Sequence, residues 1–264
     1  MADYNVPVGR RHISFIQIAE VRQVADRFEA KLLGVLGGMG PMASAVFMER
    51  LTALTEVQCD QQHIPAILWS DPRVPDRSAA KLQGGEDPLP WLLNGIRHLE
   101  QANAKAIAVP CNSAHMWYDE MAKGTRLPIL HIVKVTIDDL GNRGFRSGKI
   151  GVMGTAGTLK TAMYQQELEA RGFSWIIPTE EEMAKYCTPS IALVKANRIG
   201  EAYAPAVQCI RELQQRGAEA VVLGCTELPL AVPHQCRSAL GLEMVDSIDG
   251  LARAAIRWYF ESNI

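Results

Sequence analysis

Short apolar runs alternate along the chain with segments in which apolar residues recur every three or four positions. The runs predict buried strands, and the 3.6-residue period predicts helices. Strands are predicted over residues 31–36, 66–69, 107–109, 129–133, 149–153, 173–177, 220–223 and 243–245. Helices are predicted over residues 16–30, 41–55, 88–101, 114–123, 136–142, 159–171, 191–197, 203–216 and 248–261. Strands that alternate with helices in this way predict an α/β fold built on parallel sheets.

Two local signals add detail to the second half of this pattern. Thr179 and Glu182 have the spacing of a capping box and predict the start of a helix. Pro189 predicts a break soon afterwards, because its ring crowds the preceding turn and removes a backbone N–H.

The second half of the chain repeats the order of the first. Three pairs of residues correspond at a separation of about 115 residues: Gly37 with Gly154, Cys111 with Cys225, and His131 with Asp246. The repeat predicts two α/β domains, over residues 31–145 and 146–264, preceded by a polar extension over residues 1–30. Ligands bind at the carboxyl ends of the strands in open α/β sheets, so two such units facing each other would share one cleft. Each half would contribute one thiol to that cleft.

Composition narrows the classes of partner. Hydrophobic residues make up 48% of the 264 residues, and no apolar run approaches the roughly 20 residues of a membrane span, which predicts a soluble globular protein. The formal charge of −2 gives no reason to expect a nucleic acid or an anionic membrane as partner, so a small molecule is expected. The first residues lack the apolar core of a secretion signal, which predicts a cytoplasmic location.

Two of the six cysteines stand at strand exits. Cys111 and Cys225 each follow an apolar run and precede short polar residues: Asn112 and Ser113 in the first case, Thr226 and Glu227 in the second. The other four are interpreted as small buried apolar residues: Cys59, Cys187, Cys209 and Cys236. The sequence has no C-x-x-C pair, which speaks against a zinc ribbon or a dithiol redox motif.

Three uses fit a pair of opposed thiols. A disulfide needs adjacent Cβ atoms and an oxidising compartment, and the sequence supports neither. A metal site could use Cys111 and His115, four residues apart, but a structural zinc ion needs four ligands and no second pair appears. Acid–base chemistry fits best, because one cysteine can be a thiolate while the other is a thiol. A base on one face of a carbon and an acid on the other would invert a stereocentre.

The loops before Cys111 offer sites for anions. Residues 37–41 turn into a helix whose first position suits Pro41, and the free amides there suit a carboxylate or phosphate. Residues 38–43 also fit a loose dinucleotide pattern, but the next strand does not end on an acid that would hold a ribose, which speaks against NAD. The loop that follows carries Arg73, Arg77 and Lys81, either as solvated charges or as a clamp for a carboxylate.

Several motifs together resemble one family. They are GGMGPMA at 37–43, PDR at 75–77, GGEDP at 84–88, PCNSAH at 110–115, the turn at 154–158 and GCTE at 224–227. In this order they resemble the aspartate/glutamate racemase family, in particular its aspartate racemase branch. The resemblance implies two flavodoxin-like parallel-sheet domains related by pseudo-twofold symmetry, a mechanism without cofactor or metal, and a homodimer.

The resemblance also implies roles for individual residues. Cys111 and Cys225 would be the two bases, each serving one enantiomer, and Arg77 and Lys195 would bind carboxylates. The positions that would line the substrate are Met39, Gly40, Asn112, Ser113, Thr155, Thr158 and Thr226. Glutamate racemases proper carry an acid and a serine in the first glycine turn and a histidine after the second C-T pair. Here these places hold Gly37-Gly38-Met39 and Glu227, which speaks against specificity for glutamate alone.

The sequence therefore predicts a cofactor-independent racemase of aspartate, with glutamate as a candidate second substrate. Three alternatives stay open at this point. One is a dicarboxylate isomerase or decarboxylase of the same fold, which would need a different set of residues around a single thiol. The others are a non-catalytic protein that binds an acidic ligand and a nucleotide-binding module that uses the glycine turn.

Overall fold

Two parallel four-stranded sheets, each flanked by helices, form the framework of the protein. The structure is a computed structural model and describes residues 31–261; the helix predicted over residues 16–30 lies outside this range. The first sheet contains β1 (Leu32–Gly37), β2 (Ala66–Ser70), β3 (Ala104–Ala108) and β4 (Ile129–Leu130). The second contains β5 (Lys149–Met153), β6 (Ser174–Ile176), β7 (Ala220–Leu223) and β8 (Glu243–Asp246). This architecture confirms the predicted fold class.

Helices connect the strands in both halves. In the first half they are α1 (Pro41–Leu54), α2 (Arg77–Gln83), α3 (Leu89–Gln101), α4 (Tyr118–Lys123) and α5 (Ile132–Asn142). In the second half they are α6 (Ala156–Lys160), α7 (Met163–Ala170), α8 (Glu180–Glu182), α9 (Thr188–Lys195), α10 (Ile199–Gln215), α11 (Leu228–Ala231), α12 (His234–Arg237) and α13 (Ser247–Glu261). Among the helices of residues 31–261, none combines the length and the apolarity needed to cross a bilayer.

The two sheets have the same topology. The strand order is β2-β1-β3-β4 in the first and β6-β5-β7-β8 in the second, and every neighbouring pair is parallel. The loops after β3 and β7 therefore occupy equivalent places, and these loops carry Cys111 and Cys225. The repeat read from the sequence thus corresponds to a repeated sheet.

One apolar cluster extends through both halves. Leu33 and Val35 of β1 belong to the same buried cluster as Ile150 and Val152 of β5. Burial of each such aliphatic side chain contributes roughly 1.5–3 kcal/mol to the free energy of unfolding. The C-terminal helix α13 packs against α1 and α5 of the first half. The division into domains near residue 145 stays a prediction.

Several helix boundaries differ from the prediction. The predicted break at Pro189 is wrong: helical structure is continuous from α8 to α9 through a π-helical turn, Met183–Cys187, which widens the hydrogen-bond spacing just before the proline. The helix predicted over 159–171 is two helices, because Ala162 adopts a left-handed conformation with φ of 56°. The short side chain of alanine keeps the cost of this conformation to roughly 1–2 kcal/mol.

Three further predictions need correction. The strand predicted over 129–133 ends at Leu130, and α5 begins at Ile132, four residues before the predicted start. The segment predicted as a helix over 114–123 begins as a 3₁₀ helix, Ser113–Trp117, before α4. Cys59 is exposed, so it is not the buried apolar residue that was expected, and Cys236 is only partly buried.

The glycine turn after β1 depends on the absence of a side chain at Gly38. Its φ is 92°, and a Cβ atom there would lie 2.4 Å from the backbone of Asp71. Gly84, after α2, is a matched control, because its φ of 67° is also left-handed but a Cβ atom would meet nothing within 4 Å.

We expect Gly84→Ala to lower the free energy of unfolding by roughly 1–2 kcal/mol through backbone strain alone. Gly38→Ala is expected to cost at least about 1–3 kcal/mol more, because the added methyl group also displaces the Asp71 backbone. Urea unfolding of both variants measures the difference, and equal losses would contradict this account of the turn.

Candidate active site

A cleft of about 450 Å³ lies at the carboxyl ends of the strands. One side is formed by the glycine turn at 38–43 and by Arg77 at the start of α2. The other includes Lys195 at the end of α9 and Glu227, which follows β7. Both halves of the chain therefore contribute to one cleft, at the edge that open α/β sheets use for ligands.

The two cysteines predicted as bases are buried beside this region. Cys111 and Cys225 each retain 4% of their exposure, and neither is among the residues that line the cleft. The Cys225 Sγ atom donates a hydrogen bond of 2.9 Å to Glu227 Oε2. Burial, followed by the charge and hydrogen bond of Glu227, raises the pKa of the Cys225 thiol well above its usual value. Cys225 therefore rests as a protonated thiol.

Hydrogen bonds bring the polar residues after Cys111 onto the second half. Ser113 Oγ lies 2.9 Å from Thr155 Oγ1 and 3.2 Å from Thr158 Oγ1, so three predicted site residues meet in one hydroxyl cluster. Ser78 of α2 also contacts this cluster, at 3.3 Å from Thr155 Oγ1. Nothing in the sequence pattern marked Ser78 as a neighbour of the site, because α2 was predicted only as a loop or partly helical segment.

Asn112 is held from both sides by residues of the second half. Its Nδ2 donates to Ser247 Oγ at 2.8 Å, and its Oδ1 accepts from the Tyr164 hydroxyl at 2.6 Å. Burial raises the pKa of Tyr164, which keeps this hydroxyl protonated as a donor. No sequence pattern indicated either partner, since Tyr164 lies in a helix and Ser247 follows β8.

Arg77 is a buried cation that makes no salt bridge with a carboxylate among the described residues. It retains 8% of its exposure, Nη1 donates to the carbonyls of Val74 and Pro75, and Nη2 lies 3.4 Å from the Met39 carbonyl. Its Nε atom is buried and has no hydrogen-bond partner in the part of the chain that the structure describes. The clamp interpretation therefore fits Arg77, whereas the exposed Arg73 pairs with Asp71 as an ordinary surface charge.

The remaining predicted residues divide between the cleft and its surroundings. Met39, Gly40 and Lys195 line the cleft, and Lys195 is exposed there without a salt bridge within residues 31–261. Thr226 is buried outside the lining, with its hydroxyl 3.4 Å from Glu227 Oε2. Glu227 was noted in the sequence as one of the polar residues after Cys225, but it was not among the predicted site residues; the structure places it in the cleft wall.

His115 fixes the loop that carries Cys111. Its Nδ1 atom lies 2.9 Å from the Cys111 carbonyl, and Nε2 accepts from the backbone N–H of Ile132 at 3.1 Å. Nδ1 must therefore carry the proton, and both ring nitrogens are occupied. The sequence-based option of His115 and Cys111 as joint metal ligands does not fit this arrangement. Burial, with a smaller contribution from His131, lowers the pKa of His115 to about 4.

This lowered pKa predicts a loss of stability in mild acid. A histidine with a pKa near 6.5 when unfolded and about 4 when folded binds its proton in the unfolded chain first. The stabilisation is complete above pH 6.5 and declines as the pH falls towards 4. Between pH 6.5 and about pH 5 the free energy of unfolding should drop by about 2 kcal/mol from this residue.

Urea unfolding at several pH values measures this slope. His115→Asn removes the titrating group while keeping a side-chain N–H. The drop in the free energy of unfolding over this pH interval should therefore be smaller in the variant by about 2 kcal/mol. His131, whose pKa burial also lowers, accounts for part of the slope that remains. Equal slopes in the variant and the wild type would contradict the assignment.

One group of potential metal ligands occurs in the described part of the chain. It consists of His234, Asp246 and Asp249. Both carboxylates already bind arginines: Arg237 with Asp246 at 2.6 Å, and Arg50 with Asp249 at 2.6 Å. Because these guanidinium groups already neutralise the two carboxylates that would bind a cation, we interpret the cluster as an ion-pair network.

Comparison with known proteins identifies the family. The sequence profile described as Asp/Glu/Hydantoin racemase matches residues 36–255. The chain belongs to this family. It is an amino-acid racemase, as the motifs around Cys111 and Cys225 predicted.

Individual relatives agree with this assignment. The chain is 25% identical over 234 residues to a broad specificity amino-acid racemase of Bacillus subtilis, covering 86% of this chain and 98% of the relative. The structure of the Picrophilus torridus aspartate racemase is similar with a TM-score of 0.78 and 29% identity, covering 87% of this chain and 94% of that one. A glutamate racemase from Francisella tularensis, solved with D-glutamate, shares the fold with a TM-score of 0.64 at 14% identity, covering 89% and 82%.

Proposed function

We propose that this racemase inverts the α-carbon of aspartate, and accepts glutamate as a second substrate, by proton transfer between Cys111 and Cys225. The observation that carries the proposal is the pair of buried thiols at equivalent strand exits of two sheets with the same topology. The adjoining cleft carries two cations, Arg77 and Lys195, that suit the two carboxylates of an acidic amino acid.

The raised pKa of the Cys225 thiol suits this residue to the role of acid in the first step that we propose. The Cys111 thiolate removes the α-proton of one enantiomer and becomes a thiol, while the Cys225 thiol donates its proton to the opposite face of the α-carbon and becomes a thiolate. The opposite enantiomer reacts by the reverse transfer. Because its pKa is raised, Cys225 is the thiol that starts as the acid.

The α-proton of an amino acid is very weakly acidic, so the site must stabilise negative charge that develops at the α-carbon. A positioned base contributes about 10²–10⁴-fold, and fixed donors around the α-carboxylate supply further stabilisation. We propose the hydroxyl cluster of Ser113, Thr155 and Thr158 and the amide of Asn112 as these donors, with Arg77 and Lys195 on the carboxylates.

Incubation of the reduced protein with L-aspartate, and separately with D-aspartate, tests the proposal. Circular dichroism should decay to the racemic endpoint from either side, without added cofactor, and parallel reactions should show the same for glutamate. Loss of signal from neither amino acid, together with turnover of a dicarboxylate such as maleate or malate, would favour the isomerase alternative of the same fold.

The oligomeric state and the location of the protein stay predictions. We propose a homodimer and a cytoplasmic location, with a small acidic amino acid as the partner. Sedimentation equilibrium of the full chain tests the first, and fractionation of the source cells tests the second.

A further inference from the structure

Glu227 is a buried carboxylate in the cleft wall that forms no ion pair within residues 31–261. It retains 4% of its exposure. Its Oε2 atom accepts the Cys225 thiol hydrogen bond, and its Oε1 atom faces the glycine turn, 3.3 Å from where a Cβ of Gly40 would lie. A buried anion whose side-chain donors are a thiol and, at the long distance of 3.4 Å, the Thr226 hydroxyl is costly unless a ligand supplies a positive group.

We propose that Glu227 binds the α-ammonium group of the substrate and so restricts the enzyme to free α-amino acids. This inference rests on the proposed function, because it places the α-carbon of an amino acid beside Cys225.

The distance between the carboxylate and the thiol supports this placement. The proton that Cys225 exchanges lies on the α-carbon, and the ammonium nitrogen is bonded to that same carbon. A carboxylate oxygen 2.9 Å from the Sγ atom is therefore within reach of the ammonium group when Sγ approaches the α-carbon. Replacing the thiol hydrogen bond by an ammonium ion also gives Glu227 the charge-assisted partner that it lacks.

The charges of the cleft complement an acidic amino acid group by group. Arg77 and Lys195 offer two positive charges, and Glu227 offers one negative charge. Asp76 also lines the cleft, but its carboxylate is exposed and accepts the backbone N–H of Ala79 as the N-cap of α2. Burial raises the pKa of Asp76, but this hydrogen bond and the charges of Lys195 and Arg77 lower it overall, so Asp76 interacts with the two cations. The two cations match two carboxylates, and the one buried anion matches one ammonium group. Ring-closed hydantoins and N-acylated amino acids lack that ammonium group and would leave Glu227 unpaired.

Two ligands separate an ammonium site from a role confined to the thiol. Succinate has the two carboxylates of aspartate but no ammonium group. Aspartate is titrated as the racemic mixture, because the enzyme would convert a single enantiomer into the other during the measurement. Calorimetry of both ligands with the wild type and with Glu227→Gln gives a ratio of affinities that only contacts to the ammonium group can change.

We expect the wild type to bind aspartate more tightly than succinate. In Glu227→Gln the affinity for aspartate should fall about 10- to 100-fold, while that for succinate stays constant or rises because a repulsive charge is gone. Asp76→Asn is the matched control: asparagine retains the N-cap while removing a carboxylate from the same cleft, and the ratio should change little.

An unchanged ratio in Glu227→Gln would overturn the inference, and so would a parallel loss for both ligands. A wild type that binds succinate as tightly as aspartate would overturn it as well. A wild type that shows the expected binding but racemises neither aspartate nor glutamate would leave the ammonium site standing and refute the proposed function instead.

Discussion

Cys111→Ser and Cys225→Ser should each lower kcat for aspartate racemisation by about 10²–10⁴-fold, in both directions of the reaction. Serine occupies almost the same volume, but its hydroxyl ionises far less readily than a thiol, so neither the base nor the acid step proceeds at its normal rate. Each direction uses one cysteine as base and the other as acid, and the loss therefore appears with L-aspartate and with D-aspartate alike.

Cys59→Ser is the matched control for this pair. Cys59 is exposed and lies outside the cleft, so its replacement should leave kcat and KM unchanged. Initial rates by circular dichroism, with melting temperatures to verify folding, give the comparison. Near-normal turnover of either enantiomer by Cys111→Ser or Cys225→Ser would refute the two-base assignment.

Arg77→Lys should lower kcat/KM for aspartate by about 10- to 100-fold. The substitution keeps a positive charge but removes the planar fork that can bind a carboxylate through two parallel N–H groups. The affinity for succinate should fall in parallel, because the lost contact is to a carboxylate. This distinguishes Arg77 from Glu227, whose substitution should weaken the binding of aspartate but not that of succinate.

Arg73→Lys is the control within the same loop. Arg73 is exposed and pairs with Asp71, so exchanging its guanidinium for an ammonium group should leave kcat/KM unchanged. Because Arg77 also donates to backbone carbonyls, thermal unfolding of both variants should accompany the kinetics. A folded Arg77→Lys enzyme with unaltered affinity for succinate would contradict the clamp.

The sheets and the two thiols were predictable because their signals are local. A short apolar run that ends in small or polar residues indicates a buried strand, whatever packs around it. Gly37 ends β1 and Gly154 directly follows β5. The repeat that their spacing predicted is present as two sheets with the same strand order. The family follows from the same motifs, and the profile match over residues 36–255 confirms it.

Contacts between distant segments were not predictable in this way. Tyr164 and Ser247 hold Asn112 only because the two halves of the chain pack together, and no periodicity in their own helices signals this. The position of Glu227 in the cleft wall, where its Oε1 atom faces Gly40, also depends on the other half of the chain. The helix break predicted at Pro189 was wrong for a related reason, since tertiary packing stabilises a π-helical turn that local propensity disfavours.

Deuterium incorporation at low conversion is the most direct test of a mechanism with two opposed thiols. The enzyme is incubated in D₂O with L-aspartate until a few per cent has reacted, and the α-deuterium content of each enantiomer is measured after chiral separation; the experiment is repeated from D-aspartate. Because each thiol carries one proton and acts on one face, the newly formed enantiomer should contain solvent deuterium while the remaining substrate retains its proton. Early deuterium in the unreacted substrate, at a rate equal to that in the product, would show a single base serving both faces and would contradict the account.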